Sequence, residues 1–328
     1  MLEVKNLTVS LQGKNGQNYH LVKNLSYEVK RGQTLAIVGE SGCGKTMQSL
    51  AIMGVLPPNI KITKGEILFE GENILKLSPK ERRKINGEKI ALVFQDALTS
   101  LNPVMSIREH FLEVYADKTK LYLDEAEEEI SKLLKQVELP ERVLTSYPHQ
   151  LSGGQRQRVM IALALALNPK LLIADEPTTA LDTNTQTQII NLIKKLQKQR
   201  GMAVIFITHD LNLAKEIADR ILVLYAGSKL EEAKAKDLFL QPLHPYTYGL
   251  LKAMITDDTD KNKLLYEIRG VPLSKNAKVQ GCPFHNRCQK SSNVCLKFMP
   301  ALEELSHKHY CACFWAKSTI SQRRNYAK

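Results

Sequence analysis

A glycine-rich run that begins at Gly39 has the residue types and the spacing to bind phosphate. It fits the pattern G-x-x-x-x-G-K-[ST] in full, with the residues Gly39, Glu40, Ser41, Gly42, Cys43, Gly44, Lys45 and Thr46. Glycines let successive backbone N–H groups converge on phosphate oxygens without a Cβ in the way. Lys45 adds a positive charge near the β- and γ-phosphates, and the Thr46 hydroxyl can ligate Mg²⁺. The run therefore predicts a nucleotide-phosphate loop and not a chance glycine-rich turn.

A second group is the acidic pair Asp175 and Glu176, which follows the apolar residues 171–174. A buried strand would deliver the pair at its carboxyl end, where the ligands of open α/β sheets collect. Asp175 can hold the Mg²⁺ shell, and Glu176 is then left to polarise a water for in-line attack on the γ-phosphate. Such a pair can also serve only as a helix cap, but beside a complete phosphate loop the hydrolytic interpretation is favoured.

The third group is Leu151-Ser152-Gly153-Gly154-Gln155, which precedes a helical run at residues 156–167. A serine and two glycines at a helix N-terminus can bind an anion, because free N–H groups and the helix dipole point outward there. In isolation the same residues are common as a plain helix cap. Between a phosphate loop and an Asp–Glu strand, however, the letters LSGGQ resemble the ABC (ATP-binding cassette) ATPase family. The resemblance covers about residues 2–255.

The remaining motifs of that family also have counterparts here. Gln95 resembles the Q-loop glutamine, residues 180–182 resemble the D-loop, and His209 resembles the switch histidine. The resemblance implies a dimer in which ATP lies between the phosphate loop of one subunit and the LSGGQ of the other. It implies catalytic roles for Glu176, His209 and Gln95, and Mg²⁺ ligation by Thr46, Gln95 and Asp175. The residues implied to contact the partner's nucleotide are Ser152, Gly153, Gly154 and Gln155, and Tyr19 is the candidate for stacking on adenine.

Two other segments point to one branch of the family. Residues 95–103 and His244-Pro245-Tyr246-Thr247 resemble the oligopeptide/dipeptide importer ATPases, a branch that also includes nickel importers. Segments near the C-terminus resemble the extension of that branch, and they carry the resemblance to about residue 315; they are residues 281–284, 287–288, 295, 300–302 and 312–313. The implied function is ATP hydrolysis that powers peptide uptake, with a nickel or other small-solute importer as the alternative. An ABC ATPase of DNA repair or translation is disfavoured, because the chain has one cassette and no long heptad run.

The resemblance also implies partners and a location. The partners are a second ABC ATPase subunit (a related chain or a copy), two transmembrane permease subunits and an external solute-binding protein, with no nucleic acid. The longest apolar run, residues 159–167, is too short for a bilayer, which needs about 20 residues. No secretory signal is visible at Met1–Lys5, so we expect a peripheral protein on the cytoplasmic face of the membrane. The net charge of +12 fits nucleic acid, an anionic membrane or a solvated basic surface, and does not decide among them.

Five cysteines lie in the last fifty residues: Cys282, Cys288, Cys295, Cys311 and Cys313. In a reducing compartment, such crowding favours metal binding over disulfides. Four thiolates are the usual ligands of a [4Fe–4S] cluster, whereas structural zinc sites usually open with cysteines two to four residues apart. We therefore expect a [4Fe–4S] cluster on Cys282, Cys288, Cys295 and Cys313, with zinc or buried reduced thiols as the alternatives. Cys313 is preferred over Cys311 because Ala312-Cys313 resembles the Ala-Cys ending of the branch.

These groups require an α/β framework to position them. The short apolar runs 34–38, 90–94, 171–174 and 203–208 predict buried, parallel strands. The acidic stretch 105–136 predicts a helical insert. The expected fold class is α/β, an ABC-type phosphate-loop ATPase core with an antiparallel N-terminal β subdomain, a helical subdomain at about 100–165 and a small Cys-rich extension. The expected domains are residues 1–255 and 256–328, in a composition (43% apolar, 24% charged) that is ordinary for a folded protein.

Overall fold

The apolar runs of the sequence form buried strands in the structure, which is a computed structural model. It describes residues 1–13, 17–95, 100–119, 122–255, 264, 266–273 and 279–318. Residues 96–99 of the branch motif and the basic end after residue 318 therefore lie outside the described part. The chain divides into two compact units. The first comprises Met1–Leu2, Val29–Thr34 and Leu68–Ile207, and the second comprises Glu3–Glu28, Leu35–Ile67 and Thr208–Lys328.

The strands, in chain order, are β1 (Leu2–Gln12), β2 (Asn18–Val29), β3 (Thr34–Val38), β4 (Ile60–Phe69), β5 (Glu72–Asn73), β6 (Ile90–Val93), β7 (Leu171–Asp175), β8 (Ala203–Thr208), β9 (Arg220–Tyr225), β10 (Ser228–Lys234), β11 (Glu303–Ser306) and β12 (His309–Cys311). The helices are α1 (Lys45–Met53), α2 (Pro79–Ile85), α3 (Ile107–Lys118), α4 (Leu123–Gln136), α5 (Gly153–Leu165), α6 (Thr183–Arg200), α7 (Leu211–Ile217), α8 (Ala235–Leu240), α9 (Pro245–Lys252) and α10 (Asn293–Lys297).

The first unit is built on parallel strands. In the pairing of β6, β7 and β8, Ile90 lies beside Leu171, which in turn lies beside Ala203. Every residue of β7 and β8 is buried, which is why these runs are continuously apolar and do not alternate. The predicted parallel strands are confirmed, although β6 ends at Val93, one residue before the exposed Phe94.

The helical subdomain of the first unit contains α3, α4 and α5. Helix α3 begins with a capping box, in which the Glu109 N–H donates to Ser106 Oγ at 3.3 Å and the Ser106 N–H donates to the Glu109 carboxylate at 2.6 Å. Helix α4 carries its acidic residues on exposed positions and in its first turn, where they complement the helix dipole. Its buried face consists of Ala126, Ile130, Leu133 and Leu134. The predicted helical insert is therefore present as separate, individually capped helices.

The second unit contains two sets of strands. Strands β2, β1 and β4 lie side by side in that order, which forms the predicted N-terminal β subdomain. In the other set, the order is β11-β12-β10-β9-β3. Strand β3 runs parallel to β9, whereas β10 is antiparallel to both β9 and β12.

The C-terminal residues complete this second set of strands. Strand β12 pairs with β10, with Cys311 opposite Glu231. The Glu231 carboxylate is fully buried and accepts three hydrogen bonds, from the Leu243 N–H at 2.7 Å, the His244 N–H at 2.9 Å and His309 Nε2 at 2.7 Å. These donors satisfy a charge that would otherwise be costly to bury. One carboxylate therefore joins β10, the start of α9 and β12.

Across the described ranges, each helix is too short or too polar to cross a membrane.

Candidate nucleotide site

The phosphate loop lies in the second unit, between β3 and α1. Gly44 caps α1 with a φ of 107°, in the left-handed region that favours glycine. At Gly39, an added Cβ would lie 2.2 Å from the Leu224 carbonyl oxygen, so only glycine fits there. The strand therefore turns sharply into the helix and leaves backbone N–H groups around the turn. This is the strand–loop–helix context that the phosphate-loop motif requires.

The Lys45 side chain is folded into the loop. Only 4% of this residue is exposed, and Nζ donates to the carbonyl oxygens of Gly39 at 2.7 Å and Glu40 at 3.1 Å. The ammonium is held inside the turn, where a triphosphate would be an additional partner. Thr46, beside it in the first turn of α1, is half-buried and offers a hydroxyl. A backbone cradle, a lysine and a hydroxyl together fit a nucleotide with Mg²⁺.

The carboxylate pair lies at the end of β7 in the first unit, as the sequence predicts. Asp175 is the last residue of the strand and only 4% of it is exposed. Glu176 adopts a φ of 46°, which is unusual for a residue with a side chain, and its N–H donates to the Ile207 carbonyl oxygen at 2.9 Å. This turn separates the two carboxylates, because Asp175 stays in the strand and Glu176 leaves it.

Gln95 contacts the second carboxylate directly. Its Nε2 donates to Glu176 Oε2 at 3.2 Å, and the Thr179 hydroxyl donates to the same oxygen at 3.1 Å. Two donors thus hold an ionised Glu176 in one orientation, which is useful for a group that must accept a proton from water. The sequence points to Gln95 and Glu176 separately but does not predict this contact, since 81 positions separate them.

The LSGGQ residues form the N-terminus of α5. Ser152 is the cap, because its Oγ accepts from the Gln155 N–H at 3.2 Å while the Gln155 side chain accepts from the Ser152 N–H at 3.0 Å. The helix begins at Gly153 and not near Arg156, because this capping box adds a turn. Ser152 is exposed, so its hydroxyl is accessible to a ligand from outside the subunit.

The other predicted residues are placed as follows. His209 is the first residue after β8 and is exposed; it belongs to the second unit, as does the phosphate loop. Asp182 of the D-loop caps α6 by accepting from the Thr185 N–H at 3.0 Å, and hydrogen bonds from Thr185 lower the pKa of its carboxyl.

Tyr19 lies on β2, two residues from Leu21, whose carbonyl oxygen would lie 2.7 Å from a Cβ added to Gly44. That contact is made by backbone; the β2 side chain nearest the added Cβ is that of Val22, at 3.4 Å, on the face opposite to Tyr19 because neighbouring residues of a strand alternate.

The C-terminal cysteines converge on one small cavity of the second unit. Cys282, Cys288, Cys295 and Cys313 all line it, whereas Cys311 packs with Leu243 and Ala316. All are free thiols. Burial raises the pKa of Cys282 to about 12 and that of Cys313 to about 11. Yet the described residues include no group of three or more His, Cys, Asp or Glu side chains that could hold a metal ion.

Comparisons with known proteins agree with the nucleotide-binding motifs and their geometry described above. Residues 22–179 match the family ABC transporter, and residues 230–295 match the family Oligopeptide/dipeptide transporter, C-terminal region. The dipeptide transport ATP-binding protein DppD of Bacillus subtilis is 42% identical, over 96% of this chain and 94% of that protein. The oligopeptide transport ATP-binding protein OppD of Escherichia coli is 43% identical, over 96% of this chain and 93% of that protein. Among solved structures, the dimeric bacterial ABC transporter cassette MJ0796 matches with a TM-score of 0.65 and 34% identity, over 72% of this chain and 99% of that one.

Proposed function

Because this chain belongs to the ABC transporter ATPases, in their oligopeptide/dipeptide branch, we propose that it powers the uptake of oligopeptides or dipeptides by hydrolysing ATP. The main support for this proposal is that two features occur together in one chain. The chain has a complete set of nucleotide-binding motifs and a C-terminal region of the oligopeptide/dipeptide type. ATP-binding proteins of dipeptide and oligopeptide transport align with nearly the full length of this chain. The subunit works at the cytoplasmic face of the cell membrane as a peripheral protein.

The proposed assembly has more than one chain. Two transmembrane permease subunits form the path for the solute, an external binding protein delivers it, and a second ABC ATPase subunit completes the motor. The similar MJ0796 cassette is a dimer, which supports the pairing of two ATPases. Residues 1–255 form the nucleotide-binding domain, with the helical subdomain at about 100–165, and residues 256–328 form the C-terminal extension.

We propose the following division of labour for ATP held by one subunit. The phosphate loop from Gly39 to Thr46 cradles the phosphates, and Lys45 adds charge. The Thr46 hydroxyl, the Gln95 amide oxygen and the Asp175 carboxylate are oxygen donors of the kind Mg²⁺ prefers. Bound Mg²⁺ supplies charge neutralisation at the β- and γ-phosphates. Glu176, oriented by Gln95 and Thr179, accepts the proton of the attacking water.

Other residues complete the site in this proposal. Ser152, Gly153, Gly154 and Gln155 contact the γ-phosphate of the nucleotide held by the partner subunit, since the N-terminus of α5 offers N–H groups and an exposed hydroxyl. His209 holds the γ-phosphate and orients Glu176 or the water. Tyr19 stacks on the adenine, supported by the approach of β2 to Gly44.

Transport in a reconstituted complex tests the proposed solute. The chain is purified with its two permeases and its partner ATPase, placed in proteoliposomes, and supplied with the binding protein. Di- and oligopeptides are expected to stimulate ATP hydrolysis and to accumulate. Loss of both effects in Lys45→Ala would assign them to this subunit. Stimulation by Ni²⁺ alone, with no response to any peptide, would contradict the peptide assignment and favour a nickel importer.

We also propose that Cys282, Cys288, Cys295 and Cys313 hold a [4Fe–4S] cluster. The support is that these four thiols line one cavity while Cys311 does not. A [4Fe–4S] cluster would take one thiolate on each iron, which matches the four thiols that line this cavity. A metal would also have to displace the protons that burial retains on Cys282 and Cys313.

Anaerobic purification of the full chain tests the cluster. A brown protein with about four irons per chain is expected. Cys288→Ser should lose colour and iron, whereas Cys311→Ala, a matched change outside the cavity, should keep both. Colourless wild-type protein, or protein with stoichiometric zinc, would exclude the cluster.

A further inference from the structure

Glu40, the second residue of the phosphate loop, is held at two points by residues of the C-terminal part of the chain. Its backbone N–H donates to the Tyr246 hydroxyl oxygen at 3.1 Å. Its carboxylate accepts from Arg287 Nη1, at 2.8 Å to Oε2 and 3.0 Å to Oε1. The Arg287 side chain is only 6% exposed and that of Glu40 is 23% exposed. The pair is therefore largely shielded from water, where an ion pair is worth more than at the surface.

Arg287 is itself fixed from several sides. Its Nε donates to the Arg269 carbonyl oxygen at 3.1 Å, and its Nη2 donates to the Ile268 carbonyl oxygen at 3.1 Å. The guanidinium also lies over the rings of Tyr225 and Phe284, at 5.8 and 6.0 Å from their centroids. These hydrogen bonds and ring contacts fix the position of the guanidinium. It is an ordered counter-charge for Glu40 and not a mobile surface arginine.

A carboxylate in this loop needs such a partner. The loop binds a polyanion, and Lys45 is fastened to the Glu40 carbonyl oxygen at 3.1 Å. An uncompensated charge on Glu40 would repel the phosphates and offset part of the attraction of Lys45. The charge on Glu40 therefore bears on how tightly the phosphates bind.

We propose that Arg287 is a positioning residue for ATP: it neutralises the Glu40 carboxylate, so that the C-terminal extension helps to set the nucleotide affinity of the phosphate loop. This goes beyond the proposed function, because it assigns a role in ATP binding to a residue outside the nucleotide motifs. It depends neither on the identity of the solute nor on a metal at the cysteines.

A double-mutant cycle at Arg287 and Glu40, in the full-length subunit, tests the proposal. Arg287→Gln leaves Glu40 uncompensated, and the Kd for ATP should rise about tenfold. Glu40→Gln alone removes the carboxylate that would repel phosphate, and its Kd is the reference for the double variant. The double variant should return to within about threefold of Glu40→Gln. Titration of the purified chain with ATP measures each Kd, and urea unfolding confirms that each variant is folded.

The assembled complex separates positioning from a merely structural effect. Arg287→Gln should raise KM for ATP about tenfold while kcat changes less than about twofold. Arg287→Lys retains the charge and should recover most of the affinity. Arg269→Gln is the matched control, since Arg269 is an exposed arginine of the same segment whose backbone carbonyl, kept in the variant, accepts from Arg287; its Kd should equal that of the wild type.

The proposal is overturned if the double variant binds ATP as weakly as Arg287→Gln, or if Arg287→Gln binds as tightly as the wild type. Should Arg287→Gln fail to fold, the same cycle is run with Arg287→Lys, for which a loss of about threefold is expected from the weaker, monodentate pairing. In a Glu40→Gln background, Arg287→Lys should then cause no further loss of ATP affinity. A threefold loss that persists in this double variant would equally overturn the proposal.

Discussion

Glu176 is the residue on which hydrolysis depends in the proposed site, and its carboxylate is already oriented by two donors. Glu176→Gln should therefore preserve ATP binding and lower the turnover of the complex by about 10²–10⁴, the usual contribution of a general base. The unreacted nucleotide should also hold the ATPase dimer closed. Steady-state hydrolysis and native molecular mass measure the two effects.

The exposed Glu216 in α7 provides a control for that substitution. Glu216→Gln removes the same charge from the surface and should leave turnover unchanged. If Glu176→Gln hydrolysed ATP at the wild-type rate in the assembled complex, another residue would have to be the base.

At the residue scale, the sequence predicts which side chains carry chemistry but not which of them meet. The phosphate loop, Asp175 and Ser152 are recognisable because their function requires fixed residue types at fixed spacing. The contacts of Gln95 with Glu176 and of Arg287 with Glu40 join residues 81 and 247 positions apart. Arg287 and Tyr246 do fall inside segments that resemble the oligopeptide/dipeptide branch, and this is the one sequence signal that points to them.

Among the secondary structure elements, β10, β12 and the start of α9 are linked by one buried carboxylate, that of Glu231. Glu231→Ala would leave the N–H groups of Leu243 and His244 and the His309 ring without their acceptor in a buried place. We expect a loss of about 3 kcal/mol in the free energy of unfolding, the range typical of a broken buried network. Urea denaturation followed by fluorescence of the single tryptophan measures it.

Glu303 on β11 is the matched control, because it is an exposed glutamate whose ion pair with Lys317 spans 2.6 Å. Glu303→Ala should cost less than about 1 kcal/mol, since exposed ion pairs contribute little. Equal losses for the two variants would show that Glu231 does not fasten these elements.

Element prediction succeeds where burial imposes a strong local pattern. Strands β3, β7 and β8 are apolar except for one polar residue at an end, because both faces are covered, and so the sequence predicts them readily. Strands β11 and β12 have four and three residues and are largely polar. They exist because β12 meets β10, about eighty positions away in the sequence. No local pattern encodes such a pairing, which is why the sequence predicts only a general extension there.

For the whole molecule, the position of LSGGQ at an exposed helix terminus predicts catalysis shared between two subunits. Ser152→Arg would place a bulky cation where the partner's γ-phosphate should bind. The isolated subunit should bind ATP with nearly wild-type affinity, because its own phosphate loop is unchanged. The complex should lose most of its hydrolysis. Nucleotide titration of the monomer beside ATPase assays of the complex measures the two effects.

Ser78→Arg is a suitable control, since Ser78 also caps a short helix with a capping box but lies outside every nucleotide motif. It should disturb its helix without a selective loss of turnover in the complex. If Ser152→Arg abolished ATP binding by the monomer as strongly as it abolished turnover, the site would not be shared.

Strands β12 and β11 cover the side of β10 that would otherwise present unpaired backbone groups. An open, largely buried strand of this kind is a template for pairing with other chains. A shortened chain that stops after α9 would keep all its nucleotide motifs and yet expose that template. Insolubility of such a fragment would therefore be a property of its uncovered sheet, and would say nothing about its ability to hold ATP.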